Sequence, residues 1–250
     1  MMKGIEILRE DGPLLLLQKP VGVLTQAPPG IDSMEVRIQR FLRTRDGRMG
    51  YVYVGVPHRL DRPVSGAMVF VTSKSATRRI AEQFQGRLVK KTYWAIVEGD
   101  VHPDEGTWTD YVCKVPREPR TEIVDSNHKS GKIAVLHYRV RERSELATWL
   151  EIELETGRTH QIRIQAGSRA HAVFGDGLYG SQMAFGPQSP DEREHCIALH
   201  SRTLTIRHPK TRESISATAP LPDAWLEYGN NSIGLGGWIE NHLQCPPEPG

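Results

Sequence analysis

The chain is poor in the features that mark several large protein classes. It has only three cysteines in 250 residues, Cys113, Cys196 and Cys245. They are odd in number and far apart, which fits reduced thiols in a cytosol better than a disulfide framework. Long apolar runs are also missing. Even a run such as Leu14-Leu15-Leu16-Leu17 falls far short of the roughly 20 residues a membrane helix needs, and no apolar stretch of signal-peptide length follows Met1. There is no Gly-x-Ser-x-Gly elbow for a serine hydrolase, no internal repeat and no low-complexity linker. Finally, no lysine or arginine occurs after Arg212, so residues 213–250 sum to −5 and the first 212 residues carry +7. Arginine and lysine recur at Arg37, Arg40, Arg43, Arg45 and Arg48, and at Arg78, Arg79, Arg87, Lys90 and Lys91. Planar guanidinium forks suit phosphate. A polyanionic partner and a solvated basic helix face both fit this distribution.

Local patterning predicts an α+β fold, a mainly antiparallel, mixed β-sheet core flanked by a few helices. Strands are expected at Ile5–Leu8, Leu14–Gln18, Tyr51–Val56, Ala67–Thr72, Thr92–Val97, Thr107–Val115, Lys132–Val140, Ala147–Leu154, Leu204–Arg207 and Ser214–Ala217. Ser33 is expected to cap a helix with Met34, Ile38, Phe41 and Leu42 at helical spacing. Ser75 opens a second helix carrying Ala76, Ile80 and Phe84, with Gly86 near its end. Short helices fit near His160–Gly167 and Asp223–Glu227. The tail from Gly229 is rich in Gly and Pro and reads as poorly ordered or loosely docked.

Two segments are dense in chemistry. His58-Arg59-Leu60-Asp61-Arg62-Pro63-Val64-Ser65-Gly66 sets one carboxylate among cations, which favours its charged form. Such a carboxylate can pair charges, bind a metal or act as a nucleophile, and a surface ion-pair loop has the same composition. Glu155-Thr156-Gly157-Arg158-Thr159-His160-Gln161-Ile162-Arg163 follows a strand. There Gly157 allows a turn and Thr159 can cap a helix, whose start would join Arg158 and Arg163 in an anion-favouring patch. Gly175-Asp176-Gly177-Leu178-Tyr179-Gly180 spells G-x-G-x-x-G, but Phe185-Gly186-Pro187 follows where a dinucleotide fold needs a helix. His195, Cys196 and His200 lack the companions that zinc requires at a familiar spacing.

Taken together and in order, these segments resemble the RluA-type family of RNA pseudouridine synthases. Lys19-Pro20-x-Gly22, the His58–Gly66 loop, Lys91-x-Tyr93, Gly157–Arg163, Gly175-Asp176-x-x-Tyr179-Gly180 and Leu199-His200-Ser201-x-x-Leu204 all carry the resemblance, over about residues 5–228. It implies a catalytic trio of Asp61, Tyr93 and Arg163, with Arg163 paired to the aspartate. It also implies that Arg59 enters the RNA stack as the target uridine leaves. RNA contacts are expected from His58, Arg62, Arg158 and His160 as well. Val64 stands where the family usually has threonine, and Gln165 where a histidine commonly follows; both departures bear on RNA contacts.

The expected activity is isomerisation of uridine to pseudouridine in structured ribosomal or transfer RNA. It would need no metal and no redox or small-molecule cofactor. Asp61 could attack the uracil ring, attack the ribose, or abstract a ribose proton. Tyr93 could stack on the base and relay the C5 proton. The expected organisation is one catalytic domain over residues 1–228, a tail over 229–250 and no separate N-terminal RNA-binding domain. The protein is expected to be a cytoplasmic monomer without membrane contact. Two rivals are a catalytically dead RNA-binding module and an aspartate-nucleophile hydrolase of a small substrate. The first would not need Asp61, Tyr93 and Arg163 together, and the second would not need the arginine load.

Overall fold

A computed structural model describes residues 5–191 and 195–225. The tail from Gly229, Cys245 and the end of the expected Asp223–Glu227 helix lie outside the described residues; 223–225 are helical. Internal contacts divide the chain into two compact units, Met1–Thr92 with His200–Ala219, and Tyr93–Leu199 with Pro220–Gly250.

In the first unit, β1 (Glu6–Asp11) and β2 (Leu14–Lys19) form an antiparallel hairpin. β2 then pairs antiparallel with β3 (Ser65–Val71), Leu14 opposite Val71 and Lys19 opposite Gly66. β3 meets β9 (Leu199–Arg207) in parallel at Ser65 and Gly66, and β10 (Ser214–Thr218) runs antiparallel to β9. Successive side chains of a strand face opposite sides, yet Leu14, Leu15, Leu16 and Leu17 are all buried. Leu14 and Leu16 join Val69, Val71, Leu204, Ile206 and Ile215 in a core sealed by Ala76 and Ile80 of α2 (Lys74–Gln85). Fully burying one such leucine stabilises by roughly 2 kcal/mol. α1 (Met34–Arg45) buries Met34, Ile38 and Leu42, one stripe at helical spacing. Ser33 Oγ accepts the Val36 N–H at 3.3 Å, the expected cap.

Three expectations in this unit need correction. Tyr51–Val56 is not a strand; only Gly55 bridges, exchanging two backbone hydrogen bonds with Val71. A Cβ at Gly55 would sit 2.1 Å from Thr77 Oγ1 of α2, so the chain passes too close to that helix for a side chain. α2 is flanked by Ser73 rather than opened by Ser75. β9 starts at Leu199 rather than Leu204, because its first residues pair with β3.

The second unit carries β4 (Lys90–Glu98, from Tyr93 on), β5 (Glu105–Lys114), β6 (Thr121–Val124), β7 (Lys132–Arg143) and β8 (Ala147–Leu154). Their spatial order is β4-β8-β7-β5-β6. The β5–β6, β5–β7 and β7–β8 pairs are antiparallel. β6 escapes the sequence pattern because it is only four residues long and follows Pro116 and Pro119. Trp149, fully buried, packs edge-on to Trp94 at 5.1 Å and against Trp225 at 5.8 Å. α3 (Gln161–Gly167) and a 3-10 turn (Gly177–Tyr179) complete the unit. The architecture is the mixed, mostly antiparallel sheet with few helices that the patterning predicts. Among the described residues no helix is long and apolar enough to cross a membrane.

Candidate active site

The loop before β3 is pinned almost residue by residue. The His58 ring stacks on Phe84 of α2 with centroids 4.4 Å apart, and its Nε2 accepts the Val69 N–H at 3.0 Å. Burial, aided by the Lys91 charge, pushes its pKa down to about 3, so the ring is neutral. The expected RNA contact thus has one nitrogen and one ring face engaged inside the fold. The Leu60 N–H donates to Thr25 Oγ1 at 3.2 Å, and the Leu60 carbonyl lies 2.9 Å from the same hydroxyl. Asp61 is half-buried, and its carbonyl accepts the Val64 N–H at 3.1 Å. The Arg62 Nε donates to the Gly22 carbonyl at 2.8 Å, and the Gly22 N–H returns to the Arg62 carbonyl at 3.0 Å. Arg62, expected on RNA, therefore stitches the loop to the turn after β2.

Lys19 lies beneath this loop with no exposed surface. Its Nζ donates to the carbonyls of Pro20 at 2.9 Å, Arg62 at 3.1 Å and Val64 at 2.7 Å. Burial lowers its pKa to about 7, while the Asp61 charge pulls it back up. Ser65 Oγ meets His200 Nδ1 at 2.8 Å, and His200 Nε2 faces the Ala219 carbonyl at 3.3 Å. A donor at Nε2 leaves Nδ1 to accept from the Ser65 hydroxyl. Burial pushes the His200 pKa down to about 3. Gly66 has φ +121°, and a Cβ there would meet the Ser201 backbone at 2.3 Å; only glycine fits. Arg59 is exposed, and its guanidinium makes no hydrogen bond or ion pair among the described residues.

In the second unit, Tyr93 is buried on β4, and Arg163 is buried on α3 with 5% of its surface exposed. The Arg163 Nε donates to Asp176 Oδ2 at 2.6 Å and Nη2 to Oδ1 at 2.7 Å, with Asp176 itself 1% exposed. Its Cζ stands 5.1 Å from the Tyr179 ring centroid. Burial raises the Tyr179 pKa, so the hydroxyl stays protonated. That hydroxyl accepts the Thr121 N–H at 2.8 Å and meets His160 Nδ1 at 2.8 Å. His160, expected on RNA, sits at φ +53° and flanks α3. Arg158 is half-buried and bonds the Ile133 carbonyl through Nε at 2.9 Å.

Thr159 does not cap α3, which starts after His160 without a side-chain cap bond. Gln161 closes the turn instead: its Oε1 accepts from Thr156 Oγ1 at 2.7 Å and from the Arg158 N–H at 3.0 Å. Gln165, read as an RNA-facing departure, is fully buried and donates to Asp110 Oδ2 at 2.6 Å and the Trp108 carbonyl at 3.1 Å. Several expected phosphate contacts are also occupied. Arg37 pairs with Asp32, Arg45 with Glu10 and Asp46, and Arg79 bonds the Pro209 carbonyl. Arg40, Arg43 and Lys90 are exposed and make no ion pair among the described residues.

Sequence reasoning missed the supporting roles of Lys19, Thr25, His200, Asp176 and Tyr179. A signal existed for Lys19, a lysine ending a strand of four leucines. Among the described residues no group of three or more His, Cys, Asp or Glu side chains could hold a metal ion.

A family model described as RNA pseudouridylate synthase matches residues 13–168. An uncharacterized RNA pseudouridine synthase of Synechocystis is 34% identical over 220 residues, which is 87% of this chain and 66% of that protein. The ribosomal large subunit pseudouridine synthase D of Xanthomonas campestris is 34% identical over 226 residues, covering 88% of this chain and 66% of that protein. The chain thus spans slightly less than two thirds of these relatives, 66% of their length. Among solved structures, human RNA pseudouridylate synthase domain containing 4 superposes with a TM-score of 0.71 at 20% identity, covering 95% of this chain and 92% of that one. Human RNA pseudouridylate synthase domain containing 1 gives 0.70 at 21% identity, covering 99% and 98%. These two likenesses concern the fold.

Proposed function

The chain belongs to the RNA pseudouridylate synthase family, and from that premise we propose that it isomerises specific uridines to pseudouridine in structured RNA. Ribosomal RNA is the first substrate class to test, because several relatives are named for the large ribosomal subunit; transfer RNA is the second. The observation that carries the reading is the Asp61 loop, whose backbone is tied on both sides of the aspartate by Thr25, Gly22 and Lys19, with the Ser65 hydroxyl held by His200. Preorganisation of this kind suits a group that must meet a substrate atom in one orientation.

The isomerisation breaks an N–C glycosidic bond and forms a C–C bond within one nucleotide. It is redox-neutral and consumes no co-reactant, so Asp61, Tyr93 and Arg163 suffice as the reacting groups. Asp61 supplies the carboxylate that attacks the uracil ring or the ribose, or takes a ribose proton. Tyr93 stacks on the uracil and relays the proton that leaves C5. A stacked uridine must first leave its helix or loop, at a cost of a few kcal/mol. Arg59, exposed and without an ion pair among the described residues, would fill the gap. Arg40, Arg43 and Lys90 hold phosphates, with Arg158 and His160 as further contacts. We place the protein in the cytoplasm, acting as a monomer over residues 1–228.

Forming the C–C bond expels the hydrogen at C5. Transcripts of ribosomal RNA domains and transfer RNAs carrying tritium at uridine C5 should release it to water when incubated with the protein. No release from either pool would contradict the reading.

A further inference from the structure

The Arg163 side chain is long, flexible and charged, yet it is buried on a helix of only two turns. Ordering it costs rotamer entropy. Burying its charge beside a carboxylate costs desolvation that a well-packed apolar pair would avoid. Stability alone therefore does not explain the arrangement around it.

That arrangement fixes the guanidinium in every rotational sense. The Asp176 carboxylate engages the Nε–Nη2 edge in a two-bond fork, at 2.6 and 2.7 Å. A fork defines the plane of the group and, because guanidinium is rigid and planar, the direction of its Nη1 edge. The Tyr179 ring covers one face, 5.1 Å from Cζ. Neither partner can drift. The Asp176 carbonyl accepts the Tyr179 N–H at 3.0 Å and the Ser181 N–H at 3.1 Å, which closes a tight turn. The Tyr179 hydroxyl is held by Thr121 and His160, both at 2.8 Å. Gly167 lies so close that a Cβ there would be 2.6 Å from the Tyr179 carbonyl oxygen.

We propose that Asp176 and Tyr179 are positioning residues that aim the Arg163 guanidinium for the isomerisation. The proposal rests on the reading of Arg163 as part of the catalytic machinery. Asp176 sets the plane and heading of the group, and Tyr179 blocks its tilt.

Single-turnover rates at saturating enzyme, RNA dissociation constants and a double-mutant cycle test this. Asp176→Asn should slow the single turnover on the order of 100-fold and leave RNA affinity within about 3-fold. In an Arg163→Lys background, which has no fork to aim, the same substitution should cost less than about 3-fold. A residue serving stability alone would lower the rate by the same factor in both backgrounds, and that result, or a near-normal rate for Asp176→Asn, would overturn the proposal. If Asp176→Asn does not fold, the cycle is run with Tyr179→Leu, which should show the same non-additivity. A normal rate for Arg163→Lys would instead overturn the reading of Arg163, a different failure from additivity in the cycle.

Discussion

Lys19 illustrates how a single residue can shape the site without meeting a substrate. An ammonium has three N–H donors, and the three carbonyls of Pro20, Arg62 and Val64 supply three acceptors. Two of those carbonyls belong to the Asp61 loop, so the lysine ties that loop to the end of β2. The same burial makes it a sensor of pH. Its pKa is about 7 in the folded chain against an ordinary value of 10.5. Between those values the unfolded chain binds more protons, so stability rises with pH above about 7 through this group. The gain approaches at most about 1.4 kcal/mol per pH unit, and below pH 7 the term is flat at its lowest. Lys19→Met lacks the term. Urea unfolding at pH 7 and pH 9 should show the wild type gaining stability relative to Lys19→Met; a parallel response of the two proteins would contradict this.

At the scale of elements, the Asp61 loop combines a fixed backbone with one exposed arginine. His58 and Arg62 are held within the fold, whereas Arg59 is exposed. Arg59→Ala should therefore slow modification of a uridine in a stable stem-loop far more than of the same uridine in a short unstructured RNA, because unstacking costs less there. Single-turnover rates on the two RNAs check this; equal losses would mean that Arg59 supports the chemistry itself. The loop also shows what local sequence carries and what it does not. The α1 helix was legible because its cap and apolar stripe are local: Ser33, Met34, Ile38 and Leu42 lie within ten residues. Tyr51–Val56 misled because its β-rich composition is overruled by Gly55 passing against Thr77, a contact with a distant helix. Thr159 looked like a cap, yet Gln161 and Thr156 close that turn through a bond to β7 at Val135. Arg62 and His58 read as surface cations because their partners, Gly22 and Val69, are remote or carry no side-chain signal.

For the whole molecule, the strand alternation and the ordered series of motifs sufficed to predict the fold class, and the family match agrees with that reading. The basic patches were only partly legible. Composition counts arginines but not the acids they meet, and Arg37 and Arg45 turn out to be paired while Arg40 and Arg43 stay exposed. The central claim is that this chain modifies RNA through Asp61. Pseudouridine mapping of total RNA tests that most directly, in cells lacking the protein and in cells given back either the wild type or Asp61→Asn. The expected result is one or more uridines that lose their modification without the protein, regain it with the wild type and do not regain it with Asp61→Asn. Full restoration by Asp61→Asn, or a map unchanged by removing the protein, would contradict the central claim.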